Sequence, residues 1–305
     1  MLSVSGRSLW QWRQAAMAQA EQAGIDQADV DWLLRAVTEL DSLSLRLGTF
    51  QHYDAIAVQR SLPELTQLWQ QRLEQRIPVQ YLAGIVHWRE FTLRVSPAVL
   101  IPRPETELIV DLAIEQNSQA ASDDPGAMLD QPEMMACHWV DLGTGSGAIA
   151  IGLATAFPQA IVHAVDCSAE ALTIARANIQ AYQLSERIQL YHGSWFAPIT
   201  HLKGQVSGLV ANPPYIPTAL IPELQPEVVG HEPRIALDGG DDGLDCLRHL
   251  VEAAPDYLCS GGIWLVETMM GQANDVMGLL QAQGNYENIQ IRPDLAGIDR
   301  FVLAR

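Results

Sequence analysis

Residues 138–154 constrain the fold of this chain more than any other segment, because two apolar runs flank a glycine-rich turn. The first run, 138–142, has the length of a buried strand, and the second, 148–154, has the composition of a helix. Between them lies Gly143-Thr144-Gly145-Ser146-Gly147. Glycines at alternate positions let the backbone approach a ligand closely, and a helix start offers unpaired N–H groups. The pattern predicts the nucleotide-binding turn of a doubly wound α/β sheet.

The next apolar run, residues 160–165, ends in Asp166. Its carboxylate is placed to accept hydrogen bonds from ribose hydroxyls, as in dinucleotide-binding folds. The turn also satisfies the relaxed G-x-G-x-x-A pattern through Gly143, Gly145 and Ala148. Taken alone, this half of the site fits a nicotinamide enzyme as well as a methyltransferase.

A rigid turn follows another predicted strand. Asn212-Pro213-Pro214-Tyr215 comes directly after the apolar run 208–211. The two prolines fix φ and lack backbone donors, so the turn presents carbonyl oxygens beside the Asn212 side-chain oxygen. These acceptors suit a planar NH2 group, which reacts only when its hydrogens are held and its nitrogen is aimed, and the Tyr215 ring can pack against it. A proline-rich turn without chemistry is the alternative for these four residues alone.

The two motifs together favour a methyltransferase. Asp141 directly precedes the glycine turn and suits a cationic ligand end, such as the ammonium of S-adenosylmethionine. A dehydrogenase would need a proton-handling His or Lys near the hydride site, and Lys203 is the only lysine of the chain. Trp195 follows a third predicted strand, where its indole is placed to lie against adenine, with a core aromatic as the alternative. The NH2 acceptor would be Asn212.

The predicted fold is α/β, a seven-stranded, mostly parallel, doubly wound Rossmann-like sheet preceded by a small all-α domain and a β-hairpin linker. Apolar positions at helical spacing predict that residues 8–77 are entirely helical. The segment 116–136 is rich in polar residues and lacks periodicity, which predicts a mobile insertion. The expected divisions are a helical substrate-docking domain at 1–80, a hairpin linker at 81–103 and a methyltransferase domain at 104–305.

The net charge of −18 limits the partners. Residues 1–90 hold eight Lys/Arg and ten Asp/Glu, whereas the rest of the chain holds ten and 26, so the negative charge lies almost entirely in the predicted catalytic half. A protein that binds a phosphate backbone is expected to show a basic face, so a basic protein partner is favoured over nucleic acid.

The four cysteines and eight histidines show no metal-ligand spacing. The first residues lack the apolar core of a signal peptide and no apolar run approaches the length of a membrane span, so we expect neither. We expect a cytoplasmic monomer without a metal.

Motifs spread over most of the chain resemble one family, the PrmC/HemK-type glutamine methyltransferases of peptide chain release factors. The segments PRPETE and EPRIALDGGDDGL are more specific to this family than NPPY, which adenine methyltransferases share. The matching segments are 80–84, 99–107, 141–147, 212–217, 232–240 with 242–244, and 294–297 with 300–301.

The resemblance implies methyl transfer from S-adenosylmethionine to the side-chain amide nitrogen of the glutamine in a Gly-Gly-Gln tripeptide. By motif, 143–147 would hold the methionine part, Asp166 the ribose and Trp195 the adenine, while the turn 212–215 would hold the glutamine amide. The helical domain would grip the release factor. Ser194 and Met269 depart from the family pattern, which commonly has an acidic residue and a glycine there.

Two alternatives stay open. An adenine N6 methyltransferase of DNA or RNA would use the same turn on an exocyclic NH2, although base flipping on a phosphate backbone favours a basic surface. A cofactor-binding assembly factor without turnover is the other, and the intact Asn212 beside an intact glycine turn disfavours it.

Overall fold

The computed structural model describes residues 2–123 and 137–305, and the chain divides into two compact units. The helical unit comprises Met1–Val86, Val95–Pro97 and Gln225–His231, and the catalytic unit comprises His87–Arg94, Ala98–Leu224 and Glu232–Arg305. Within the described ranges, no helix combines the length and apolar character that a membrane span requires.

Strands and helices are numbered in chain order. The described strands are β1 Leu2–Val4, β2 Ile56–Val58, β3 Ile85–Trp88, β4 Phe91–Arg94, β5 His138–Leu142, β6 Ile161–Asp166, β7 Ile188–His192, β8 Val206–Ala211, β9 Leu258–Glu267, β10 Gln290–Pro293 and β11 Asp299–Ala304. The described helices are α1 Gly6–Ala23, α2 Ala28–Val37, α3 Ser42–Leu47, α4 Leu62–Gln75, α5 Val79–Ala83, α6 Leu108–Asp123, α7 Ala148–Ala156, α8 Ala169–Ala181, α9 Pro226–His231, α10 Asp245–Ala253 and α11 Ala273–Gln283.

The helical unit has its own apolar core, in which Leu9, Phe50 and Trp69 are almost completely buried. The start of α4 shows why its helices begin where they do. Ser61 accepts a hydrogen bond from the Glu64 N–H while the Glu64 carboxylate accepts one from the Ser61 N–H, so two backbone donors that lack helical partners are satisfied.

The expectation that residues 8–77 are entirely helical is wrong at one place. Residues Ile56–Val58 form β2, which pairs antiparallel with β1. The side chains of Ile56 and Val58 alternate with Ala57 between core and surface, as β-branched residues of a half-buried strand do. Three residues are too few to show this period against a helical background.

A segment from late in the sequence completes the helical unit. Helix α9 brings Glu227 to Arg72, whose side chain is almost fully buried; Arg72 Nη1 donates to Glu227 Oε1 at 2.7 Å, and Arg72 Nε donates to Asp29 Oδ2 at 2.8 Å. Arg76 also pairs with Glu227, at 3.1 Å. A buried guanidinium needs such partners, so 225–231 belongs to this unit for an electrostatic reason.

The predicted hairpin is present as the two-stranded sheet of β3 and β4. The insertion expected at 116–136 is partly wrong, because residues 116–123 continue helix α6. Alanine and glutamine support a helix even without an apolar stripe. Residues 124–136 lie outside the described part of the chain.

The catalytic unit is built on the predicted seven-stranded sheet, in the order β10-β11-β9-β8-β5-β6-β7. The neighbours from β9 to β7 are parallel, and β11 runs antiparallel to β9 and β10. The last two strands, β10 and β11, therefore form an antiparallel hairpin at one edge of the sheet.

From β5 the chain first builds outward through β6 and β7, and then continues on the other side through β8 and β9. This reversal places a crevice at the carboxyl ends of β5 and β8, which is where open α/β sheets bind ligands. The register aligns Leu142 with Ala211 and Ala211 with Val266, so the residues after these strands meet at one edge.

Candidate active site

The glycine turn lies between β5 and α7, as predicted. Gly143 and Gly145 have φ of +77° and +55°, which L residues rarely adopt. A side-chain carbon added at Gly143 would stand 3.9 Å from the Trp195 ring, and one at Gly145 would meet no atom closer than 4.0 Å. The turn thus leaves open space above it, into which a ligand can approach the backbone.

Asp166 closes one side of this space. Its Oδ2 accepts a hydrogen bond from the Gly145 N–H at 2.8 Å, and its Oδ1 accepts one from the Ser168 N–H at 2.9 Å. An ionised carboxylate has about four acceptor positions, so both oxygens can still accept from ribose hydroxyls. The carboxylate is therefore oriented by the turn itself.

Asp141 lies behind the turn and is completely buried. Its Oδ2 accepts hydrogen bonds from the Thr144 hydroxyl at 2.6 Å and from the Ala150 N–H at 3.1 Å, while its buried Oδ1 has no partner in the described structure. Burial raises the pKa of this carboxyl to about 7. The carboxyl therefore connects the glycine turn, through Thr144, to the start of α7, through Ala150. That it also binds a cationic end of the ligand stays a prediction.

Trp195 faces the glycine turn. It has φ of +49°, the left-handed conformation that is uncommon for a bulky residue, and its ring lies over Gly143. Ser194 lies beside it in the same cavity wall. The wall at this end is thus a flat aromatic surface with a small hydroxyl residue.

The amide-holding turn, residues 212–215, follows β8. Asn212 and Pro214 lie in the cavity wall, whereas Pro213 is buried and Tyr215 is half-buried behind it. Asn212 Nδ2 donates to the Thr106 hydroxyl oxygen at 3.1 Å, which leaves the side-chain oxygen Oδ1 as an acceptor. The Tyr215 hydroxyl donates to Glu267 Oε1 at 3.1 Å, so this ring is held from behind.

Backbone contacts also hold this turn. The Tyr215 carbonyl accepts a hydrogen bond from Gln272 Nε2 at 3.0 Å, and residue 216 bonds to residues 237 and 239 of the EPRIALDGG segment. Gly243 packs so closely that an added side-chain carbon would stand 2.3 Å from the Tyr215 carbonyl oxygen. The EPRIALDGGDDGL segment therefore forms the support of the turn.

One cavity of about 670 Å³ unites the two halves of the site, a volume typical of a small-molecule pocket. Of the residues predicted from the sequence, four are not among those that line the cavity: Asp141, Gly147, Pro213 and Tyr215. The others lie in the wall: Gly143, Thr144, Gly145, Ser146, Asp166, Trp195, Asn212 and Pro214.

Four further parts of the site have no motif that predicts an individual role from the sequence: Thr106, Glu267, Gln272 and the cavity residues 233–236. Thr106 and 233–236 lie in segments that carry the family resemblance, and that resemblance was the only available signal for them.

The residues present fit S-adenosylmethionine. The open space above Gly143 and Gly145 admits the methionine part, and Asp141, directly before this turn, has a buried Oδ1 without a partner among the described residues. Asp166 offers two carboxylate oxygens to a ribose, and Trp195 offers a flat apolar surface to a purine.

This fold and this site define a Rossmann-like methyltransferase. The family model described as methyltransferase small domain matches residues 124–221. Among solved structures, the catalytic domain of hMettl16 in complex with MAT2A 3′UTR hairpin 6 shares the fold, with a TM-score of 0.55 and 11% identity over 89% of this chain and 88% of that one.

Full-length relatives specify the family. A release factor glutamine methyltransferase of Synechocystis sp. is 51% identical over 99% of this chain and 97% of its own length. Another, of Thermosynechococcus vestitus, is 45% identical over 99% of both chains. The chain belongs to the release factor glutamine methyltransferase family. This membership decides against the nicotinamide enzyme that the glycine turn alone left open.

Proposed function

We propose that this protein transfers a methyl group from S-adenosylmethionine to the side-chain amide nitrogen of the glutamine in the Gly-Gly-Gln tripeptide of peptide chain release factors. The observation that carries the proposal is the single cavity that contains both the glycine turn with Asp166 and the NH2-accepting turn at Asn212. Family membership supports the choice of glutamine over an adenine NH2.

The chemistry required of the chain is positioning. An amide nitrogen is a poor nucleophile because its lone pair is delocalised, so its two hydrogens must be held while the nitrogen is aimed at the methyl group. Asn212 Oδ1 would accept one hydrogen, and a backbone carbonyl of the turn would accept the other. S-adenosylmethionine supplies the electrophilic methyl group, and Gly143, Gly145, Asp166 and Trp195 would hold it.

Labelled S-adenosylmethionine tests this function directly. Incubation with a whole release factor should label that protein, and a release factor whose Gly-Gly-Gln glutamine is changed to alanine should stay unlabelled. Labelling of adenine in DNA or RNA, with none on the release factor, would replace the proposal by the nucleic-acid alternative.

We also propose that the helical unit docks the body of the release factor, because a short tripeptide offers little surface for recognition. Three large apolar side chains are exposed around α3: Leu43 at 54%, Leu47 at 62% and Tyr53 at 47%. Leu43 and Leu47 are four residues apart and share one helix face. A protein partner that covers them would bury this apolar surface.

Point substitutions test docking better than a truncation, because removal of residues 1–80 would leave Glu227 without Arg72 and Arg76. The double variant Leu43→Ser, Leu47→Ser should raise KM for the whole release factor and leave methylation of a Gly-Gly-Gln peptide unchanged. Leu295→Ser removes a leucine that is 93% exposed in the catalytic unit and should change neither. Equal losses on protein and peptide would refute docking through α3.

The acidic charge of residues 91–305 should attract a basic substrate surface, which mainly raises the association rate and weakens with salt. Stopped-flow association rates at increasing salt test this effect. We propose that the enzyme acts in the cytoplasm as a monomer without direct contact to nucleic acid, and light scattering with and without the release factor tests the stoichiometry.

A further inference from the structure

A buried carboxylate stands behind the amide-holding turn. Glu267 ends β9 and is 1% exposed. The Thr106 hydroxyl donates to its Oε2 at 2.6 Å and the Tyr215 hydroxyl donates to its Oε1 at 3.1 Å. An ionised carboxylate can only accept hydrogen bonds, so both hydroxyl hydrogens are committed to Glu267.

This commitment determines how Asn212 is oriented. A hydroxyl group has one hydrogen, and that of Thr106 goes to Glu267, so the Thr106 oxygen must act as an acceptor toward Asn212. The group that faces it is therefore the Asn212 NH2, and the Asn212 oxygen is left for another donor. A flipped Asn212 would direct its own NH2 at the substrate NH2, so that donor would face donor.

We propose that Glu267 and Thr106 are positioning residues for methyl transfer, which fix the side-chain amide of Asn212 with its oxygen toward the substrate nitrogen. This inference rests on the proposed function, because it assumes that Asn212 accepts a hydrogen of the glutamine amide. It also assigns a role to the PRPETE segment, because Thr106 is its threonine.

The fold brings the three residues together from distant parts of the chain. Thr106 lies in the short 3₁₀ turn Glu105–Glu107. Asn212 follows β8 and Glu267 ends the neighbouring parallel strand β9, where the register pairs Ala211 with Val266. Because parallel strands end at one edge of the sheet, Glu267 lies beside the turn, where it accepts hydrogen bonds from Thr106 and Tyr215.

Substitutions at Thr106 separate positioning from packing. Thr106→Val keeps the shape of the side chain and removes the hydroxyl that links Glu267 to Asn212, a chain of hydrogen bonds called the relay below. We expect kcat to fall by about 10- to 100-fold, with KM for S-adenosylmethionine within about twofold. Thr106→Ser retains the hydroxyl and should restore most of kcat. Glu267→Gln, which offers one acceptor instead of two, should lower kcat in the same direction.

Thr268→Val is the matched control. Thr268 is also fully buried and is the next residue after Glu267, but its hydroxyl bonds to the Arg300 carbonyl at 3.2 Å and lies outside the relay. Melting temperatures of all four variants report folding. If Thr106→Val keeps its kcat, or loses no more than Thr268→Val, the positioning role is refuted.

A measurement without substrate distinguishes this inference from the proposed function. The Asn212 side-chain NH2, assigned by NMR through its loss in Asn212→Asp, should exchange hydrogen faster in Thr106→Val and stay protected in Thr106→Ser. Unchanged exchange in Thr106→Val would overturn the relay even in an active enzyme. If Thr106→Val accelerates this exchange but the wild-type enzyme does not label release factors, the relay is supported and the proposed function is refuted.

Discussion

Replacement of Gly243 by alanine should disable the amide-holding turn without touching the cofactor half of the cavity. The added methyl group would stand 2.3 Å from the Tyr215 carbonyl oxygen and 2.5 Å from Gln272 Nε2. These two atoms are hydrogen-bonded to each other at 3.0 Å. The methyl group therefore displaces both partners of a bond that holds the turn.

The size of the effect follows from these distances. Side-chain carbons essentially never approach closer than 3.0 Å, so the Tyr215 carbonyl must move by about 0.7 Å if it alone gives way. A misplacement on the order of 1 Å at reacting groups costs roughly 10²-fold in rate. We therefore expect kcat on the release factor to fall by about 10²-fold in Gly243→Ala. Calorimetric binding of S-adenosylmethionine should change by less than about twofold.

Gly297→Ala separates this displacement from backbone strain. Gly243 and Gly297 both have φ of +78°, but an added carbon at Gly297 has no atom within 4 Å. Both variants bear the cost of a left-handed alanine, about 1–2 kcal/mol of stability, and only Gly243→Ala should lose turnover. If Gly243→Ala has the same melting temperature as Gly297→Ala and keeps the wild-type kcat, the EPRIALDGGDDGL segment does not support the turn as described.

Three further outcomes are expected. Asn212→Ala should lower turnover by about 10²-fold or more while calorimetry shows unchanged affinity for S-adenosylmethionine; retained turnover would remove Asn212 from its role. Asp166→Ala should weaken that affinity by roughly 1.5–3 kcal/mol in the same assay, and equal affinity would contradict ribose binding. Burial lowers the pKa of His163 to about 4, so the folded protein binds fewer protons than the unfolded chain below the ordinary pKa of 6.5. The contribution of His163 to stability is complete above this value and decreases as pH falls toward 4, by up to about 2 kcal/mol between pH 7 and 5. Because the raised pKa of Asp141 acts in the opposite direction over this range, the effect of His163 is measured as the difference between wild type and His163→Phe in urea unfolding at each pH.

The sheet and the glycine turn could be predicted because their signals are local. The apolar runs before Gly143 and Asn212 have strand length, and a glycine-rich turn between a strand and a helix has few other uses. The segment 56–58 was missed because its strand character depends on a partner 56 residues away, where Leu2 pairs with Val58. A three-residue strand carries no period of its own.

The sequence predicts the residues that line the cavity, but not the residues behind the amide-holding turn that hold it in place. The residues in the cavity wall belong to recognisable motifs, whereas the contact between Thr106 and Glu267 joins positions 161 residues apart. A hydrogen bond between residues so far apart leaves no spacing pattern in a single sequence. Asp141 shows the same limit, because its place next to the turn in sequence does not reveal that its carboxylate lies underneath it.

The late arrival of α9 has a consequence for how the protein is made. Arg72 and Glu227 are 155 residues apart, and the ribosome adds about 5–20 residues per second, so roughly 8–30 s pass before the second partner of this buried arginine exists. We expect the helical unit to reach its full protease resistance only when residue 231 has left the exit tunnel. Stalled nascent chains of increasing length would show resistance rising at that point, rather than after residue 97, if the C-terminal half of the message is needed to finish the N-terminal fold.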